Sequence, residues 1–224
     1  MFVGHLAAGF AAKRFAPRTS LGTLLVAALL ADLLWVIFLL AGIEHARIQP
    51  GITAANALDL WDYPFSHSLL TGALWAALFA GIYYAWRRYA PGAWAIFAAV
   101  LSHWLLDFAS HRADMPLAPG LHRYFGLGLW NSIPATYLVE GFLWLVGILL
   151  YARATRASGR TGVYAFWVMI ALLTALWIPS VGGPPPPSLR AMAFANIPFS
   201  LVLFAWAFWI DSRRPARSPV PLVP

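Results

Sequence analysis

Residues 93–111 read AWAIFAAVLSHWLLDFASH, an apolar run without Lys or Arg. As a helix rising ~1.5 Å per residue it covers about 28 Å, close to the ~30 Å hydrocarbon core of a bilayer. This length reads as a membrane-crossing helix. The same run holds His103 and Asp107, four positions apart and so on one helical face. An ionised side chain at such depth costs at least ~2.5–3.5 kcal/mol on insertion scales, so something must compensate for it.

Comparable runs lie near 21–43, 65–86, 131–153, 162–180 and 191–210. A shorter one, Phe2 to Ala16, covers only ~22 Å. It is not a secretory signal, since Lys13 and Arg14 follow its apolar part rather than precede it. Together these predict an all-α, polytopic transmembrane helix bundle of about seven membrane segments. Residues 1–210 form a single integral membrane domain, and 211–224 a disordered cytoplasmic tail. Composition agrees: 61% of the chain is apolar and 10% charged, against about 45–50% and about 25% in soluble domains. That excludes both a soluble domain and a disordered chain. The absence of Cys excludes disulfides and thiolate chemistry, leaving His nitrogen and carboxylate oxygen for any metal.

The net charge of +7 acquires its meaning from position. Lys13, Arg14, Arg18, Arg87, Arg88, Arg153, Arg156, Arg160, Arg213, Arg214 and Arg217 occupy every second boundary between runs. Basic residues mark the cytoplasmic side of short loops, so seven spans put the N-terminus outside and the C-terminus in the cytoplasm. The surplus is a topology signal and implies no nucleic-acid partner. Trp61, Tyr63, Tyr83, Tyr84, Trp86, Tyr89, Tyr124, Trp130 and Tyr151 read as interfacial anchors, and Gly182 to Pro187 as a stiff outer spacer.

On this topology all six His and seven of the eight acids fall in the outer loops or the outer-to-middle part of the spans. His103 and Asp107 could offer imidazole and carboxylate to one metal ion, or form a pair that neutralises itself. His67 at the start of the third span, His5 in the first segment and Asp32 in the second complete the candidate ligands. The alternatives are an interfacial His5, a His67 that merely enters a helix beside a Ser66 cap, and structural or proton-relay roles for Asp32 and Glu140. His111 and Asp114 follow the same stripe into a loop as rim residues. Arg112 and Arg123 flank the mouth, where they could meet an anionic substrate. Asp59 and Asp62 are second-tier candidates, and His45 and His122 read as solvated.

Gly4-His5-Leu6, Ala31-Asp32, Ser66-His67-Ser68-Leu69-Leu70 and Leu101-Ser102-His103-Trp104-Leu105-Leu106-Asp107, followed by Met115-Pro116-Leu117, resemble the succession in the bacterial inner-membrane metal-dependent hydrolases described as LexA-binding. The likeness covers roughly the first 120 residues. The order His, Asp, His, HxxxD is also similar, more weakly, to the ligand order of zinc-dependent phospholipases C, with Glu140 in the place of a later carboxylate. This chain departs from the first family in reading Leu30-Ala31-Asp32-Leu33-Leu34, without a Pro or paired acids, and Asp62-Tyr63-Pro64-Phe65 before Ser66. The resemblance implies a multi-pass protein of the bacterial inner membrane with a divalent ion, zinc first.

The resulting expectation is a metal-dependent hydrolase open to the extracytoplasmic leaflet, acting on a membrane lipid or lipid-linked phosphate ester. His5, Asp32, His67, His103 and Asp107 hold the metal. Glu140 and Asp107 act as catalytic carboxylates, and His111, Asp114 and Arg112 contact substrate. The rivals are a transporter or proton-coupled channel lined by Asp32, Asp107 and Glu140, and a noncatalytic scaffold whose polar cluster only joins helices.

Overall fold

The computed structural model describes residues 1–217. Nine α-helices occur among them: α1 (Phe2–Ala12), α2 (Leu21–Ala28), α3 (Leu30–Leu40), α4 (Pro64–His67), α5 (Leu69–Arg87), α6 (Ala90–Ser110), α7 (Ile133–Ala154), α8 (Arg160–Ser180) and α9 (Leu189–Arg213). Two antiparallel ribbons depart from the all-α expectation: β1 (His45–Ile48) with β2 (Leu58–Asp62), and β3 (Met115–Pro116) with β4 (Tyr124–Phe125). Both fold the connecting segments at one end of the bundle. Backbone polar groups with no helix to join find partners there across a short ladder.

Helix starts are written locally. Ser20, Ser68, Ser132 and Ser188 each accept a hydrogen bond from the backbone N–H three residues on, capping α2, α5, α7 and α9. Arg88, in the left-handed region at φ 49°, ends α5, and Pro91 sits in the first turn of α6.

Five helices, α5 through α9 in order, are long and apolar enough to cross a membrane. Their outward faces are apolar: Leu70, Leu74, Leu78 and Ile82 line α5 at four-residue spacing, and Leu138, Phe142, Leu145 and Leu149 stand out from α7, all exposed. Water would not tolerate such stripes, whereas lipid does. The protein is a multi-pass membrane protein by these helices.

The expected seven segments become five, or six if α2 and α3 count as one span. The run 21–43 is broken at Leu29, where the two helices meet at 56°. The first segment is shorter than a membrane crossing needs: α1 has 11 residues, about 16 Å of rise, and is packed among α2, α6 and α7. Its Val3, Leu6 and Phe10 are fully buried. Gly147 on α7 permits this approach, since a Cβ there would lie 2.7 Å from the Cα and carbonyl oxygen of Ala7.

The basic residues at the ends of α1, α5, α7 and α9 gather at the end of the bundle opposite the ribbons. Buried Lys13 pairs with Asp211 at 2.6 Å and donates to the Thr19 carbonyl at 2.8 Å. The expected tail therefore begins later than 211. α9 continues to Arg213, Ala216 pairs with Thr155, and buried Arg214 lies over the Phe166 ring. Its remainder, 218–224, lies outside the described residues.

Candidate metal centre

Each side chain of the centre is delivered by a local feature. The bend at Leu29 ends α2 early and leaves the Ala28 carbonyl, one of the acceptors a helix C-terminus cannot satisfy internally, to meet His103 Nδ1 at 2.8 Å. The same bend opens a new helix, and Asp32 lies in its first turn, where the dipole favours a carboxylate. His67 ends the single turn α4. His103, Asp107 and the following His111 continue the stripe of α6.

Four imidazoles turn their Nε2 atoms toward two carboxylates. His67 and His103 Nε2 both lie 3.6 Å from Asp32 Oδ1. They lie 3.8 and 3.1 Å from Asp107 Oδ2. His5 and His111 Nε2 stand 3.0 and 3.6 Å from Asp107 Oδ1. One ligand atom from each of Asp32, His67 and His103 lies within 4.8 Å of the others, and the same holds for His5, His103 and Asp107. His5, His67, His103, His111 and Asp107 are buried, while the Asp32 side chain is 40% exposed and marks the open side. Beside it a narrow cleft, bordered by Leu34, Trp75 and Trp104, reaches His67 and His103.

Proton bookkeeping fixes what these nitrogens offer. A carbonyl only accepts, so His103 Nδ1 carries a proton, and a neutral ring would present its Nε2 lone pair. That Nε2 is buried without a hydrogen-bond partner among the described residues. Glu44, fully buried, accepts from Phe65 N, Ser66 N and Ser66 Oγ at 2.7, 2.8 and 2.6 Å. Ser66 has one proton and gives it to Glu44, so it accepts from His67 Nδ1 at 2.7 Å and leaves His67 Nε2 bare. Asp114 Oδ1, 3.1 Å from His111 Nδ1, imposes the same tautomer on His111. Second partners that set the tautomer and orientation in this way accompany metal-bound histidines.

The separations discriminate further. Two atoms bound ~2.1 Å from one tetrahedral ion stand ~3.4 Å apart, whereas hydrogen-bonded pairs stand ~2.7–3.2 Å apart. Four of the six nitrogen–oxygen distances above are 3.6–3.8 Å. His103 Nε2 and Asp107 Oδ2, although 3.1 Å apart, are not hydrogen-bonded. These groups point at common space rather than at one another.

The His5 side differs. Its ring stacks on His103 with centroids 3.6 Å apart and planes 3° from parallel, which disfavours two charged imidazoles. On this side the Met1 nitrogen also lies 2.9 Å from His5 Nε2 and 2.8 Å from Asp107 Oδ1.

The remaining candidates are placed as follows. Arg112 joins Asp59 and Asp114, and Arg47 reaches Asp59 at 2.6 Å, so that buried carboxylate is held by two guanidinium groups. Tyr63, expected as an interfacial anchor, is buried under the site and donates to Asp114 Oδ1 at 3.2 Å. Burial first, then the Asp114 and Asp107 carboxylates, hold its phenol well above the usual value. Trp130 likewise leaves the anchor set, its ring lying 4.3 Å from His111. Exposed His45 pairs with Asp62 at 2.7 Å, away from the centre. Glu140 is buried but belongs to neither ligand group; it faces the backbone of Phe2 and Gly4 in the first turn of α1.

Sequence reasoning missed Glu44, the Ala28 carbonyl and the inward aim of His111. For Glu44 the available signal was an acid at the junction of an apolar run and its loop. Set against protein-family models, curated proteins and solved structures, the chain matches none.

Proposed function

We propose that the protein is a membrane-embedded, metal-dependent hydrolase whose ion is held by Asp32, His67, His103 and Asp107. The observation that carries this reading is the buried His103 Nε2, without a hydrogen-bond partner among the described residues, and His67 Nε2 beside it, both 3.6 Å from Asp32 Oδ1, a ligand–ligand rather than a hydrogen-bond distance. A nitrogen and oxygen donor set without thiolate suits zinc. A bound divalent ion would supply a Lewis acid and a water acidic enough to ionise near neutral pH.

The chain's own residues supply the rest. Glu44 through Ser66, the Ala28 carbonyl, and Asp114 hold three imidazoles in the metal-binding tautomer. Asp107 balances the charge from beneath, and His5 and His111 flank its far oxygen. Asp32, the one half-exposed member, stands where substrate would arrive. Arg112, although paired with Asp59 and Asp114, is 40% exposed and faces solvent at the rim. The basic ends of the helices argue for a centre on the extracytoplasmic side, and the resemblance for a bacterial inner membrane. An ester or phosphate ester of a membrane lipid is the substrate class such a location favours.

Element analysis of the detergent-purified chain by inductively coupled plasma mass spectrometry tests the reading. About one equivalent of zinc, lost in His103→Ala and Asp107→Asn, is expected. A folded, metal-supplemented preparation that binds no divalent ion overturns it and leaves the polar cluster as a joint between helices.

A further inference from the structure

At the basic end of the bundle, opposite the metal centre, the link between α1 and α2 meets the turn between α5 and α6. The junction is fixed from inside. Thr19 Oγ1 and the Tyr83 hydroxyl, both buried, share a hydrogen bond at 2.9 Å, and Lys13 donates to the Thr19 carbonyl. Gly92 lets the two segments close up, since a Cβ there would collide with Thr19 Oγ1 and the Tyr83 ring. Against this junction lies a hollow of about 230 Å³, walled by Arg18, Tyr83, Trp86, Arg87 and Tyr89, mostly through polar atoms. It is smaller than ordinary small-molecule sites and leaves room for a phosphate group with a few further atoms.

Two guanidinium groups line this hollow with their charge unspent. Arg18 Cζ lies 4.7 Å from the centroid of the Tyr89 ring, and Arg87 Cζ 5.3 Å from that of Trp86. Stacking on an aromatic face holds a guanidinium and leaves its N–H edges available. Among the described residues Arg47, Arg112, Arg214 and Arg217 donate to oxygen atoms, whereas Arg18 and Arg87 donate to none. Nor is an acid at hand: Asp211, at this end, is paired with Lys13. Tyr89 also precedes α6 without giving it a side-chain cap, so the positive end of that helix adds to the two charges. An anion with several acceptor oxygens answers both the charges and the free N–H groups, and phosphate fits best.

The surroundings say what carries the phosphate. The outward stripe of α5, Leu70, Leu74, Leu78 and Ile82, continues at the same four-residue spacing to Trp86, which is 78% exposed and forms a wall of the hollow. A ligand whose phosphate reaches Arg18 and Arg87 therefore has hydrocarbon beside it along α5, and an indole at the end of such a stripe suits the membrane boundary. We propose that Arg18 and Arg87 bind the phosphate of an anionic glycerophospholipid whose acyl chains lie along α5. This goes beyond the hydrolase reading, concerns the other end of the bundle and needs neither an ion nor a reaction.

The test uses the delipidated full chain in detergent, titrated with dioleoylphosphatidylglycerol and with dioleoylphosphatidylcholine, and read by native mass spectrometry. The two lipids share their chains and phosphodiester, but choline brings a cation toward two guanidinium groups. We expect phosphatidylglycerol to bind about tenfold more tightly, the scale of one charge set beside two basic residues. Arg18→Gln and Arg87→Gln should each weaken it about tenfold, as loss of a charged hydrogen bond does, and narrow the preference over phosphatidylcholine. Both residues are exposed, so these variants should keep the thermal midpoint of the unaltered chain. Arg160→Gln, exposed at the start of α8 at the same end, should leave binding unchanged. Zinc content measured in parallel should not follow Arg18→Gln or Arg87→Gln, so failure of the lipid reading and failure of the metal reading remain distinguishable. Equal binding of the two lipids, unchanged binding by Arg18→Gln and Arg87→Gln, or an equal loss in Arg160→Gln overturns the proposal and leaves only diffuse charge at this end. Displacement of the lipid by an equimolar amount of inorganic phosphate overturns it in favour of a soluble phosphate.

Discussion

Ser66 holds its neighbour His67 in one tautomer because Glu44 has claimed its only proton. Removing that relay should weaken the ion without removing a ligand. For Ser66→Ala, competition against a zinc-sensitive dye should read a loss of 10- to 100-fold in affinity, the range for outer partners of metal-bound histidines. An unchanged affinity would mean that His67 is not a ligand. At this scale the sequence was partly transparent. His103 and Asp107 were legible because one helical turn brings them together whatever the fold, and Asp32 because a carboxylate in an apolar run demands a partner. Glu44 and the Ala28 carbonyl were not, since each works through a contact across 22 or 75 positions. His111 was read as a rim residue because it follows the last turn of α6; its ring nevertheless turns back toward Asp107.

Among the elements, α1 decides whether the centre closes on the His5 side. It presents His5 to α6 and is itself held against α7 at Gly147. Gly147→Val puts side-chain carbons where the Ala7 backbone already stands. Overpacking of this kind costs about 1–3 kcal/mol, and the account expects a lower thermal midpoint in detergent together with weakened zinc binding, although residue 147 touches no ligand. Gly81→Ala on α5, where a Cβ meets open space, is the control and should change neither. The shortness of the first apolar segment was legible in the sequence. Its enclosure by other helices could not be read from an apolar segment that suits lipid and protein interior equally well. Nor did the run 21–43 announce its break: no Pro or Gly stands near Leu29, and the bend is set by what packs around it.

For the whole molecule, the decisive asymmetry is between a basic end and an end with ribbons, histidines and carboxylates. The chain has no Cys, so single cysteines report orientation cleanly. His122→Cys, exposed at the site end, should react with a membrane-impermeant maleimide on intact cells or spheroplasts. Arg87→Cys, exposed at the basic end, should react only after permeabilisation. The reverse pattern would turn the centre toward the cytosol and remove the extracytoplasmic substrate from the proposal. Apolar run lengths and basic boundaries carried most of this architecture in advance, because hydrocarbon thickness and charge asymmetry act on the chain locally. The folded ribbons and the pinned segment after α9 depend on contacts between distant residues and were not readable.

The central claim is that imidazole and carboxylate groups from α3, α4 and α6 share one cation. X-ray absorption fine structure at the zinc edge on the purified, zinc-loaded chain addresses it directly. The account predicts a first shell of nitrogen and oxygen at about 2.0–2.2 Å with imidazole outer-shell scattering, which loses one imidazole in His67→Ala. A shell of water oxygens alone, or a spectrum that His67→Ala and His103→Ala leave unchanged, would contradict it.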